Sequence, residues 1–423
     1  MKPPCSGRRE ANADRNVLQL TPPHALQPAS TPAKPLRALL PVCFYFLAAG
    51  IATVMLGPLL PALIQRWQIQ DAQAGTLFTA NFAGQFCGAW FATRNLRASI
   101  LYGSAITAAG CIAMAWVGFG AAHLALFCIG LGLGAGLTAG NVIAGTTVPA
   151  ERARLIAILN VVWGLGAIAC PVLVRLLSAG GIQHFFFATA AFLSVTSLAA
   201  VIIPRASLNP NPPQPAKFAT TSSPLPQAPS TPSRFPLPPV PLLVFGAAAF
   251  LYIGVENALG GWLPSYAVRT NPTLHASSIA LCFWVAELTG RILVTILMTF
   301  LGEAALYRIC LALLILTQVV LCLTANISAN GIVALTFLGA LSLAPLYPLI
   351  VSFLLARTGN HANLGALFAT ASFGGASLPW LTGVFSTQFH NLRTGFLVPA
   401  AGATLLLALA PILTAKHTPA PAA

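Results

Sequence analysis

PRASLNPNPPQPAKFATTSSPLPQAPSTPSRFPLPPVP, running from Pro204 to Pro241, is the stretch around which the rest of the chain arranges itself. It is dense in Pro, Ser and Thr, and its only charges are Arg205, Lys217 and Arg234. Such a segment buries too little apolar surface to offset the cost of ordering it, so it reads as a flexible, extended tether. On either side lie long apolar runs bounded by charges, Pro or Gly, each near the roughly 20 residues that cross a bilayer. Before the tether they fall at residues 38–64, 73–93, 98–118, 122–148, 155–179 and 184–203. After it they fall at 242–267, 276–299, 304–324, 330–355, 362–385 and 393–414. Six spans stand on each side.

Composition demands the same solvent. Of 423 residues, 57% are hydrophobic and 7% charged, against roughly 25% charged in soluble domains. Single cores stop growing at roughly 250 to 300 residues, so one water-soluble core cannot absorb this much apolar side chain. The expectation is an all-α polytopic membrane protein with twelve transmembrane helices in two pseudo-symmetric six-helix bundles. The domains are then a disordered tail over 1–37, a bundle over 38–203, the tether over 204–241, a second bundle over 242–414 and a tail over 415–423. The first 37 residues are polar and proline-bearing, which does not resemble a cleavable signal. The net charge of +14 does not point to nucleic acid, because the basic residues punctuate apolar runs instead of forming one patch. The nine cysteines contain no C-x-x-C pair and read as small buried hydrophobes.

Orientation follows from Lys and Arg. With alternate loops on opposite sides, the side holding both termini receives seventeen and the other receives Arg66, Arg175, Arg269 and Arg393. Leaving out the long tail and tether, eight stand against four. Both termini are expected in the cytoplasm, with a bacterial inner (plasma) membrane and a monomer as the setting.

An internal repeat supports the division into halves. GPLLP from Gly57 to Pro61 recurs as GGWLP from Gly260 to Pro264, and Gly88 and Gly290 follow at similar distances. A second echo pairs Gly166 and Pro171 with Gly374 and Pro379, both as G-x-x-x-x-P. Parallel halves of this kind place a solute site near the midplane between them.

With these features the chain resembles the major facilitator superfamily from about residue 38 to 414, and within it the sugar-transporter branch of fucose-type symporters. The residues carrying the resemblance are YIGVENALGGWLPSYAVR from Tyr252 to Arg269, Gly290 and Arg291 followed by Gly302 and Glu303, and LNVVWGLGAIACP from Leu159 to Pro171. The resemblance implies an alternating-access carrier. The chain departs from the family in two places. The loop after the second span reads ATRNLRAS, with Arg94 and Arg97 and no Asp, where the family carries an acidic and basic motif. No acidic residue lies inside the first six spans, where fucose-type symporters hold their carboxylates.

The seven acidic residues are few enough to place one by one. Glu10 and Asp14 fall in the tail, Asp71, Glu151 and Glu303 in loops, and Glu256 and Glu287 at mid-depth in spans seven and eight. An ionisable group at the bilayer centre costs about 2.5 to 3.5 kcal/mol on insertion scales and is functional by default. Glu256 is read as a solute or proton site; the alternative is a protonated carboxyl joining two helices. Glu287 has Arg291 four residues on, the spacing of an intrahelical ion pair, and reads as a structural pair or part of a gate. In the first half Asn81, Gln85, Asn141 and Asn160 are amides inside spans, able to donate to and accept from a hydroxyl-rich solute. The competing reading is interhelical hydrogen bonding, worth about 0.6 kcal/mol on average. Trp163 and Trp284, near mid-depth, suit the apolar face of a sugar ring, with Tyr252 and Tyr347 open to either role. Trp262, Tyr266 and Trp380 lie nearer span ends and read as interfacial belt residues.

No G-x-x-x-x-G-K-[ST] occurs, so no nucleotide drives the chain directly. The seven histidines fall in tails, loops or span ends, and no cofactor, metal or catalytic nucleophile is expected. The reading is a secondary active transporter, not an enzyme, moving a small polar solute, a sugar, with protons as the coupling ion and Glu256 their carrier. An exporter of amphipathic compounds is the alternative within the class, and a non-transporting receptor or scaffold the alternative outside it.

Overall fold

The computed structural model describes residues 33–92, 95–147, 151–201, 239–358 and 364–415. The expected tails and the tether fall almost wholly outside these, as does Arg94. The described chain is helical throughout. The first half comprises α1 (Ala33–Val54), α2 (Leu56–Trp67), α3 (Asp71–Ala92), α4 (Leu96–Trp116), α5 (Phe119–Thr147), α6 (Arg152–Leu177) and α7 (Ile182–Ala200). The second comprises α8 (Pro239–Thr270), α9 (Ala276–Leu297), α10 (Glu303–Leu323), α11 (Ala329–Leu343), α12 (Leu346–Thr358), α13 (Leu364–Gln388), α14 (Leu392–Gly395) and α15 (Leu397–Thr414).

Among the described residues nine stretches, and a tenth if the bent pair α1 and α2 is one span, are long and apolar enough to cross a membrane. Helices α3 and α13 complete twelve. They are equally long but richer in Gly, Ala, Ser and Thr, and they lie along each other across the boundary between the halves. The face each turns to the other meets protein and not lipid, which relaxes the apolar requirement there. An even number of crossings puts both chain ends on one face, called here the termini face; the opposite one is the far face.

The expected single first span is broken at Met55, where α1 and α2 meet at 42°. The cause is local. Pro58 has no N–H to offer the Val54 carbonyl four residues back, and its ring crowds that carbonyl; the ladder resumes with Leu59 N to Met55 O at 3.2 Å. Elsewhere helix starts are capped as the residue types suggest, with Asn95 accepting from Ala98 N and Ser328 from Gly331 N. Arg97 donates to the carbonyls of Ala200 and Val201 at the end of α7, where a cation complements the helix dipole.

The repeated glycines are contact points. Gly57 of one repeat lies against the carbonyl of Gly260, its counterpart in the other, so the two copies of the motif cross where the halves meet. Gly50 packs on Gly166 within the first half and Gly254 on Gly374 within the second. The second echo therefore marks the same helix pairing twice: α1 with α6, and α8 with α13. A Cβ at Gly374 would collide with the Phe250 carbonyl. Gly374→Val is expected to cost about 1 to 3 kcal/mol or more and to be read as loss of monodisperse protein in size exclusion; a variant as well behaved as the parent would contradict this packing.

Candidate functional site

The centre of the molecule holds a buried charge cluster. Tyr252 and Glu256 sit one turn apart near the middle of α8, and the Tyr252 hydroxyl donates to Glu256 Oε1 at 2.9 Å. From α9, Arg291 donates Nη2 to Glu287 Oε1 at 2.5 Å and also to Glu256 Oε1 at 3.3 Å. The i,i+4 pair is thus not self-contained, since one guanidinium faces two carboxylates from two helices. Its side chain is 26% exposed, against 13% for Glu256 and 3% for Glu287. Tyr347 closes one flank, its ring 5.3 Å from that of Tyr252. The first half contributes Trp163 of α6, whose ring centroid lies 5.8 Å from Arg291 Cζ, within cation–π range. With both carboxylates ionised the cluster carries one surplus negative charge, and a single proton neutralises it. An uncompensated charge at this depth is costly.

Trp163 also links the cluster to a second feature. Its ring meets Trp284 edge-on at 5.8 Å and 85°, and Trp284 lines a small cavity between the halves with Thr53, Gly57, Phe78, Asn81 and Asn257. The cavity measures about 10 Å3, at the lower limit for one water molecule. Two polar atoms of its lining residues are buried without a hydrogen-bond partner: Asn81 Oδ1, which lies against Gly130 of α5, and Trp284 Nε1, a donor from the second half. Leaving such groups unmatched costs about 1 to 3 kcal/mol each. A hydroxyl can satisfy either kind of group, because it donates and accepts.

The remaining residues singled out from the sequence are dispersed. Gln85 Nε2 and Asn141 Oδ1 are buried without partners but do not line this cavity. Asn160 is exposed and donates to the Ile156 carbonyl of its own helix at 3.0 Å. Trp262 and Tyr266 are not belt residues. Trp262 is fully buried and donates Nε1 to the Pro379 carbonyl at 2.8 Å, while Tyr266 is buried edge-on against Phe396. Packing against α13 and α15 took them out of the interface; Trp380, 40% exposed, stays at the surface.

The sequence reading placed Asp71 in a loop, and the structure corrects it. Asp71 is the first residue of α3, buried, and gripped by Arg269 at the end of α8 through two bonds of 2.7 and 2.6 Å. Ser386 donates to the same carboxylate at 2.5 Å, and Ala72 N donates to Thr387 Oγ1 at 2.8 Å. On the same face, between α6 and α9, Arg175 reaches Ser278 Oγ at 3.2 Å. These contacts tie the two halves together on the far face. The available signal was scarcity: one acid among the far-face loops beside four arginines. Glu303 is likewise the first residue of a helix, α10, and accepts from Ser352.

Two helical bundles joined across a polar midplane, with a latch on one face, define a polytopic solute carrier. Residues 42–364 match the sequence profile of the Major Facilitator Superfamily, and the chain belongs to that family. Bypass of stop codon protein 6 of Saccharomyces cerevisiae is 23% identical over 375 residues, 81% of this chain and 75% of the yeast protein. The glucose/mannose transporter GlcP of Bacillus subtilis is 31% identical over 151 residues, 34% of this chain and 36% of its own. Among solved structures, a bacterial homologue of the human lysosomal transporter Spinster, inward-facing and unoccupied, superposes with TM-score 0.69 at 14% identity, covering 90% of this chain and 97% of that one. The fucose:proton symporter of Escherichia coli gives 0.57 at 18% identity, covering 90% and 100%. These likenesses agree with the fold that the sequence resembles.

Proposed function

We propose that the chain is an alternating-access carrier of a small neutral hydroxyl-bearing solute, a sugar, and that it couples transport to one proton taken up at Glu256. The observation that carries the reading is the charge cluster with two carboxylates facing one guanidinium, joined through Trp163 and Trp284 to a small cavity that Asn81 lines from the first half and Trp284 and Asn257 line from the second. A solute bridging Asn81 and Trp284 would engage both halves, and a proton on Glu256 would free Arg291 to remain with Glu287. The partial sequence likeness to a glucose/mannose transporter supports the solute class. In this reading the two bundles rock about the Gly57 and Gly260 crossing, the tether spans them, and both termini face the cytoplasm, so that the latched far face is the outer one.

Counterflow of labelled neutral sugars and polyols in proteoliposomes, with anionic and cationic solutes for contrast, tests the solute class. Trp284→Phe removes a donor that has no partner in the solute-free protein. It is expected to raise KM for the transported sugar about tenfold, a hydrogen bond of about 1 to 1.5 kcal/mol, without lowering thermal stability. An unchanged KM would remove Trp284 from the solute site.

A further inference from the structure

A second cavity lies away from the midplane, on the far face of the second half. It measures about 630 Å3 and sits among the end of α8, the turn between α10 and α11, and the turn after α13. The side chains that give it character are Tyr266, Arg269, Ser328, His390, Asn391 and Arg393. No carboxylate lines it. Of the five acidic residues in the described structure, Asp71 alone is on this face, and it is fully engaged by Arg269 and Ser386. Among the described residues Arg393 consequently has no acid to pair with. It spends one N–H on the Thr324 carbonyl at 3.2 Å, which braces the end of α10, and a guanidinium carries five.

A second observation is independent of that charge count. Tyr266 is 2% exposed, lines the cavity beside Thr270, and its hydroxyl makes no hydrogen bond of normal geometry. A buried hydroxyl of this kind costs about 1 to 3 kcal/mol unless something meets it. The volume falls in the roughly 300 to 1,000 Å3 range of small-molecule sites, larger than a lone chloride needs. We propose that this cavity is a binding site for an oxyanion, a carboxylate or phosphate group, held by Arg393 and His390 with Arg269 at its edge and hydrogen-bonded by the Tyr266 hydroxyl. The group belongs either to a free anion or to a lipid headgroup. The site is separate from the midplane site and does not depend on what is transported.

The test uses the full-length chain purified in neutral detergent, titrated calorimetrically with inorganic phosphate and with citrate at constant ionic strength set by sodium chloride. Saturable binding is expected, weakened at least tenfold by Arg393→Gln combined with His390→Gln and about threefold by Tyr266→Phe. His390 is exposed, so His390→Gln alone, expected to weaken binding about threefold, serves if the double variant does not fold. In parallel, native mass spectrometry after incubation with phosphatidylglycerol or phosphatidylcholine identifies the source. Selective retention of the anionic lipid, lost in the variants, assigns the group to a headgroup, and binding of citrate or phosphate assigns it to a free anion. Equal behaviour of parent and variants toward phosphate, citrate and phosphatidylglycerol would overturn the site.

Discussion

Glu256→Gln is expected to leave the carrier exchanging its solute across the membrane while losing all accumulation driven by a proton gradient. The cluster explains why the two activities separate. Glu256 accepts from Tyr252 and from Arg291, and Gln offers a carbonyl oxygen in the same place, so the hydrogen bonds have a substitute. What disappears is the second carboxylate opposite a single guanidinium. Glu287 and Arg291 then form a neutral pair with no reason to take up a proton. One pH unit corresponds to about 1.36 kcal/mol, which sustains up to about tenfold accumulation of a solute carried with one proton. The variant ratio is expected to fall to one, with exchange within about threefold of the parent. Accumulation that persists in the variant would move the proton site elsewhere.

Asp71→Asn is expected to shift the protein toward a state open on the far face. Removing one partner of a buried ion pair costs about 3 to 5 kcal/mol. Arg269 is 40% exposed, so water recovers part of this, and about 1.5 to 3 kcal/mol is the appropriate range. That corresponds to a ten- to hundredfold change in the balance between open and closed states. Because the pair joins α3 of the first half to α8 of the second, the cost falls on the closed arrangement and not on either bundle. Spin labels at Ala121 and Asn330, exposed far-face positions in opposite halves, on a background lacking the native cysteines, would report it by distance measurement. A longer-distance population that grows in the variant is the expected result; an unchanged distribution would mean that the latch carries no conformational weight.

The parts of this architecture that were readable from sequence are those set by composition along one helix. Span positions follow from apolar runs, and the structure moves most helix ends by only a few residues from those limits. The Glu287 and Arg291 pairing is likewise a property of one helix and its turn. The features that escaped depend on which helices touch. Glu256 and Arg291 are 35 positions apart, and Asp71 and Arg269 are 198 apart, so nothing local announces either contact. Trp262 and Tyr266 show the same limit from the other side: an aromatic near a span end has a reason to sit in the interface, and only the neighbouring helix decides that it does not. The break at Met55 was readable in principle, since Pro58 forbids the bond to Val54, but the apolar run continues through it and hides the bend. Gly57 and Gly260 were visible as a repeat before their meeting was. A repeat identifies equivalent positions, and its crossing at the boundary between halves gives those positions a mechanical meaning.

The most direct measurement of the central claim is the external pH of weakly buffered proteoliposomes on addition of a neutral sugar, across a panel of hexoses, pentoses and polyols. Alkalinisation with a subset of these solutes, in proportion to one proton per solute and absent with Glu256→Gln, is the result expected of a sugar carried with a proton at the Glu256 site. Sugar uptake with no pH change in the parent protein would contradict it.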